Sequence, residues 1–196
     1  LCGLYISEDH GGMGMGPTEG MLAMEELGRG IVMEPLAHAL IAGGVFSGYA
    51  PADVQAEWLP KVASGEALIV LAHQERKARY QLDKCEAKAT PAQAGWTLTA
   101  TKSIVPAGDQ ADAYLVPAMV DGTLAMFLVE RNASGVIAQG YGTQDGSRAA
   151  EVVFDNAAAT LVTRDGLTAL EHAVDIGIAA LCAEAVGVMD KTLDIT

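Results

Sequence analysis

The stretch Trp58-Leu59-Pro60-Lys61-Val62-Ala63-Ser64-Gly65-Glu66-Ala67-Leu68-Ile69-Val70-Leu71-Ala72 changes its hydrophobic period partway along. Before Gly65, the residues Val54, Trp58, Leu59 and Val62 recur at helical spacing, with Pro60 inside the last turn. After Glu66 the run Leu68 to Ala72 is short, continuous and apolar, which is the pattern of a buried strand. The chain is therefore expected to pass from an all-α block into a β block near Glu66.

Working back from that point, a second helix is expected over Leu36 to Phe46. An earlier one should begin at Pro17, carry Met21, Met24 and Leu27 on one face, and end at Gly28 and Gly30. Working forward, Cys85 to Ala89 alternates, Pro91 to Gly95 is turn-like, and Trp96 to Val105 is rich in β-branched and aromatic residues. Ala111 to Val120 and Leu124 to Val129 flank Asp121-Gly122, a hairpin dipeptide, and short strand-like runs follow at Gly135 to Gln139 and Glu151 to Phe154. Helical period returns with Leu167, Leu170, Val174, Ile178, Leu181, Ala185 and Val188. No Gly or Pro terminator follows before Thr196, so the chain is expected to end inside an element and is read as a fragment of a larger protein. Helix, β and helix in separate blocks predict an α+β architecture: residues 1–65 as part of an all-α domain, 66–162 as an antiparallel β barrel or sandwich, and 163–196 as the start of a helical domain.

The composition narrows the functional classes. In 196 residues, 51% are apolar and the net charge is −13, which allows a core and repels polyanions, so nucleic acid and anionic membrane surfaces are disfavoured partners. The uncharged stretch Pro35 to Ala52 fails as a membrane span, because Gly43-Gly44, Gly48 and Pro51 interrupt it and His38 lies within it. Leu1 to His10 carries acidic residues where a secretory signal needs basic ones. Cys2, Cys85 and Cys182 form no CxxC pair and are read as reduced, small buried hydrophobes of a cytoplasmic protein.

Motifs are weak when taken singly. The glycine cluster Gly11 to Gly16 precedes a helix but has no P-loop ending and follows no βαβ strand, so it reads as a turn. His10, His38, His73 and His172 have no metal-ligand spacing and read as isolated surface or helix-end histidines, and no serine lies in a GxSxG frame. His73-Gln74-Glu75 closes the buried run Leu68 to Ala72 and opens the polar segment Arg76, Lys77, Arg79, Tyr80, a position at the rim of a β domain where ligands are met.

Taken in order, the segments resemble acyl-CoA dehydrogenases. Gly3 to Gly12, Met24-Glu25-Glu26-Leu27-Gly28-Arg29-Gly30 and Trp58-Leu59-Pro60 to Gly65-Glu66 are similar to three blocks of that family. Gly95-Trp96-Thr97-Leu98 with Lys102, Ala111-Asp112, Phe127-Leu128-Val129, Gly146-Ser147-Arg148 and Val153-Phe154-Asp155 follow in the family's order. Thr143 to Gly146 with Arg148-Ala149-Ala150 looks most like the small-subunit group, such as the pimeloyl-CoA dehydrogenase small subunit.

The resemblance implies the end of an N-terminal helical domain, a middle β domain and the first helix of a C-terminal four-helix domain. It implies a flavoprotein oxidoreductase of fatty acid metabolism that uses FAD to dehydrogenate an acyl-CoA between Cα and Cβ. An electron-accepting flavoprotein is the implied redox partner, and a homo- or hetero-oligomer, dimer or tetramer, the implied assembly. The catalytic base of most members is a glutamate of the C-terminal domain, which would fall beyond Thr196, so no catalytic residue is expected here. The family's flavin segments fall on His73, Gln74, Arg79 and Tyr80 and on Ile104, Val105 and Pro106. Of the first segment's "TEP..GSD" pattern only Glu75 survives, and Pro106 has neither an N–H nor a hydroxyl to offer. Two readings follow: a flavin-dependent dehydrogenase, or a non-catalytic partner subunit that keeps the fold while another chain holds the cofactor.

Overall fold

The computed structural model describes residues 1–93 and 95–196. After a short 3-10 turn at Glu8–His10, the helices are α1 (Pro17–Gly30), α2 (Leu36–Tyr49) and α3 (Ala52–Ser64). The strands are β1 (Ile69–Leu71), β2 (Lys88–Ala92), β3 (Gly95–Pro106), β4 (Ala113–Val120), β5 (Thr123–Glu130), β6 (Val136–Gly142) and β7 (Arg148–Thr163), and α4 (Gly166–Asp194) closes the chain. The turn expected over Pro91 to Gly95 includes position 94, which lies outside the described residues.

Each helix follows from local chemistry. Pro17 opens α1, and the Glu19 carboxylate accepts the Gly16 amide at 2.9 Å. That carboxylate occupies the helix start that the glycine cluster precedes, so the cluster is a turn with its own internal cap. α2 is buried nearly all round, which its uncharged sequence demands. α3 buries Val54, Trp58, Leu59 and Val62, carries Pro60 inside, and ends on Gly65 in the left-handed conformation at φ 79°.

The strands close a five-stranded barrel through the pairs β4–β2, β2–β3, β3–β7, β7–β5 and β5–β4, with β1 and β6 attached at its edges. Two-residue alternation explains why β4 and β5 are apolar on both faces. Ala113, Leu115, Leu124, Met126 and Leu128 join the helices in one core, whereas Tyr114, Val116, Ala125, Phe127 and Val129 fill the barrel. Asp121 and Gly122 both have positive φ, 49° and 82°, as a two-residue primed hairpin turn requires.

The antiparallel expectation needs one correction. β1 pairs with β4 in parallel, Ile69 with Ala113 through Leu71 with Leu115, and β2 touches β4 in parallel at Lys88 and Met119. No crossover helix produces these pairs; β1 enters from α3 and lies along the outer end of β4.

α4 packs against α1 in backbone contact. A Cβ on Gly28 would overlap the Glu184 carbonyl, and one on Gly187 would overlap the Glu25 carbonyl, so both positions need glycine for the close crossing. By length and composition α4 is apolar enough to cross a membrane, and here it packs on α1, α2 and β5. Leu170 is buried, but Ile178 and Leu181 of its stripe are 54% and 60% exposed. The cysteines differ from expectation: Cys2 and Cys85 are partly exposed and Cys182 is exposed.

Candidate active site

A bulge in β3 builds the centre of the site. Lys102 pairs with Val152 and Val105 with Ala150, so two residues, Ser103 and Ile104, stand against Glu151 alone. Ile104 takes φ 51°, uncommon for a β-branched residue, and its side chain is 56% exposed. The Ser103 amide leaves the ladder and donates to the Gln74 carbonyl at 2.9 Å, and the Ile104 amide donates to the Glu151 carboxylate at 3.3 Å. The bulge thereby fastens the segment after β1 to the rim of the barrel.

A buried ion pair fastens that segment from beneath. Lys102 is closed to solvent, and its Nζ donates to Glu75 Oε1 at 2.7 Å and to the Pro117 and His73 carbonyls at 3.1 and 3.4 Å. The Glu75 carboxylate also accepts the amides of Glu86 at 2.6 Å and Ala87 at 3.1 Å. Burial raises the Glu75 pKa, but the Lys102 charge and these hydrogen bonds outweigh it and hold the carboxyl below its ordinary value. Burial pushes the neighbouring Cys85 thiol up to about 11, so it is a thiol at neutral pH and no nucleophile.

Above this anchor, adjoining cavities share lining residues. Leu71, His73, Gln74, Ser103, Ile104, Val105 and Pro106 surround a narrow space of about 50 Å³. Gln74, Ser103 and Ile104 also line a larger cavity of about 470 Å³ together with Arg79 and Tyr80. Pro106 is shared with a third, of about 390 Å³, at the seam of α1, α2, α4 and the β domain. Met24, Ile31, Val32, Met33, Leu181 and Val188 give that third cavity an apolar wall, and His38, Gln110, Ser147 and Arg148 are among its polar lining. Arg148 is paired with Asp109.

The seven residues expected at a flavin line two of these adjoining cavities, with differing roles. Gln74, Ile104 and Pro106 line the narrow space, and Arg79 and Tyr80 line the larger cavity, with Tyr80 92% exposed. Val105 requires a correction: its side chain is 1% exposed inside the barrel core, because the bulge shifts the alternation, so it presents only backbone to the groove. The isolated-histidine expectation is also corrected. His38 lies close enough to His73 to feel it, and burial first, then a neighbouring group, lowers both pKa values to about 4: His73 for His38, and Lys102 for His73.

Sequence reasoning missed two polar groups. Ser103 Oγ and His38 Nδ1 are buried without a hydrogen-bond partner, a condition that costs about 1–3 kcal/mol per group unless something else supplies the bond. The sequence signal for His38 was its place as the only imidazole in the uncharged stretch Pro35 to Ala52. Among the described residues no group of three or more His, Cys, Asp or Glu is arranged to hold a metal ion.

Comparison with known proteins bears on the fold. Residues 1–66 match the family described as acyl-CoA dehydrogenase, N-terminal domain. Isovaleryl-CoA dehydrogenase, mitochondrial, of Solanum tuberosum is 27% identical across 100% of this chain and 51% of its own length. The structure of the Tcur3481-Tcur3483 steroid ACAD G363A variant superposes with a TM-score of 0.88 at 28% identity, covering 99% of this chain and 52% of that one. A glutaryl-CoA dehydrogenase from Mycobacterium smegmatis in complex with FADH2 shares the fold at a TM-score of 0.85 and 21% identity, over 98% of this chain and 52% of its own. The chain has the fold of these acyl-CoA dehydrogenases and is similar to them in sequence over nearly its whole length. It spans about half the length of the curated relatives it matches.

Proposed function

We propose that this chain is the helical and β portion of a flavin-dependent acyl-CoA dehydrogenase, with domain limits at 65/66 and 162/163. The observation that carries the proposal is the row of adjoining cavities that share Gln74, Ser103, Ile104 and Pro106, with Arg79 and Tyr80 at one end and the cavity beside α4 at the other. Its residues fit a flavin followed by an acyl chain. Ile104 and Pro106 offer a flat apolar surface to a ring system, and the unpartnered Ser103 hydroxyl and the Gln74 amide offer hydrogen bonds at its edge. Arg79 stands at the outer end, where a guanidinium can meet a pyrophosphate.

When bound, the flavin supplies the acceptor for the hydride that leaves the acyl β-carbon. This chain's part is to hold and orient. The Lys102–Glu75 pair fixes the backbone of His73 to Glu75, the bulge sets Ser103 and Ile104, and the apolar seam keeps water from the acyl chain. The reaction's base is assigned to no residue between Leu1 and Thr196. Cytoplasmic location, oligomerisation and an electron-accepting flavoprotein as partner belong to the same proposal; the exposed apolar residues of α4, Ile178, Leu181, Met189 and Leu193, support an assembly.

One feature favours a second reading, a partner subunit whose cofactor lies on another chain. Pro106 removes a donor at the ring face, and Arg79 and Tyr80 stand where the family's flavin segment has small residues. Replacement of Gln74 by Leu in the full-length protein tests the choice. Reduced flavin content in a folded variant supports a flavin on this chain held by Gln74, unchanged content removes Gln74 from the site, and flavin present only after co-expression with a homologous chain supports the second reading.

A further inference from the structure

We propose that the acyl group received by the seam cavity carries an uncharged oxygen on its chain, a ketone or hydroxyl, which accepts a hydrogen bond from His38. The inference rests on the acyl-CoA reading above. His38 lies near the start of α2 and lines a cavity with an apolar side formed by Met24, Ile31, Val32, Met33, Leu181 and Val188 and a polar lining that includes Glu184 of α4. Where His38 faces the apolar side of the cavity, a plain hydrocarbon chain would take its ring from water and return no hydrogen bond.

The state of the ring gives the direction of the bond. Burial keeps His38 neutral at physiological pH, so it carries one proton. Nδ1 is buried with no partner, and among the described residues no hydrogen bond to Nε2 is found. A buried lone pair is tolerated better than a buried N–H, so the proton is assigned to Nε2, which is left as a free donor. The complementary ligand atom is an acceptor.

The surroundings select its charge. Glu34, Asp145 and Glu184 line the same cavity, and the guanidinium of Arg148 is already taken by Asp109. A carboxylate on the acyl chain would meet three acidic side chains and no free cation, so a neutral oxygen is favoured. His73 lies on the other side of Pro106 and is neutral for the same reason of burial, so it adds no charge that would change this preference.

The test uses the full-length protein and isothermal calorimetry with two kinds of probe: hexanoyl-CoA, and hexanoyl-CoA bearing a keto group stepped along the chain. The wild type should bind one of the keto compounds about tenfold more tightly than hexanoyl-CoA. His38→Leu should reduce that preference to about twofold or less, and His38→Asn, which retains a donor, should keep part of it. Equal affinities for every probe in the wild type overturn the proposal while leaving the acyl-CoA reading intact, and this comparison does not depend on any variant folding. Absence of binding by all of them overturns both. A preference that persists in folded His38→Leu overturns the role of His38.

Discussion

Lys102 Nζ lies 2.7 Å from Glu75 Oε1 with both side chains shut away from solvent, and the pair joins the middle of β3 to the segment that follows β1. Further polar groups complete the pair: the Pro117 and His73 carbonyls accept from Lys102, and two backbone amides donate to Glu75. Removing the cation alone strands a buried carboxylate. Lys102→Met should therefore cost about 3–5 kcal/mol in urea unfolding, and the double variant Lys102→Met, Glu75→Gln should recover part of the loss. A loss under 1 kcal/mol (roughly the size of an exposed pair) would mean that the site rim does not depend on this anchor.

Acid should weaken the fold in two stages. His38 and His73 have folded pKa values of about 4 against an ordinary value near 6.5, so the unfolded chain binds protons first. Stability is full above pH ~6.5 and falls as pH drops toward ~4, by about 2–3 kcal/mol for each histidine. Glu75, held below its ordinary value, adds stability that persists above that value and is lost only at still lower pH. Urea midpoints measured from pH ~8 down to ~4 should slope downward below ~6.5, and His38→Leu should flatten the first stage. A flat profile down to pH ~4 would show that the two rings are not buried as neutral species.

The close crossing of α1 on α4 makes a separate claim. Gly28→Ala and Gly187→Ala each push a methyl into a facing backbone carbonyl, Glu184 and Glu25 respectively. Either should destabilise by about 1–3 kcal/mol and widen the seam cavity, in spite of alanine's better helix propensity. An increase in melting temperature would show that the helices do not meet so closely.

Arg79 is exposed to a sharper test. In the groove it either contacts a ligand pyrophosphate or crowds a flavin out. Arg79→Ala should weaken flavin or acyl-CoA affinity by about tenfold if it is a contact, measured by equilibrium dialysis of the full-length protein. A gain of flavin binding instead identifies it as a block, and no change in either ligand removes both roles.

The block order was legible in the sequence because the hydrophobic period itself changes at Glu66 and again near Leu167. The Asp121-Gly122 hairpin was legible for the same local reason, since its backbone needs residues that tolerate positive φ. The parallel pairing of β1 with β4 was not, because its partners lie more than forty residues apart and no local pattern encodes them. β7 runs from Arg148 to Thr163, well beyond the expected Glu151 to Phe154, because pairing with β3, β5 and β6 holds an alanine-rich segment that β propensity alone would not extend. At the site, Ile104 and Val105 were both expected to line the pocket, and the bulge leaves Ile104 on the rim while it turns the Val105 side chain into the barrel core. His38 went unread because its neighbours come from α1, β3 and α4, which only the fold brings to it.

The central claim is that the full-length protein oxidises an acyl-CoA through a flavin held on the rim formed by Gln74, Ile104 and Pro106. The direct measurement is the visible absorption spectrum of the purified full-length protein, recorded anaerobically before and after an acyl-CoA is added. The account predicts oxidised flavin absorbance at about one flavin per chain, bleached by the acyl-CoA as hydride is transferred. A folded protein that binds no flavin alone, or whose flavin is unchanged by acyl-CoAs that it binds, would contradict it.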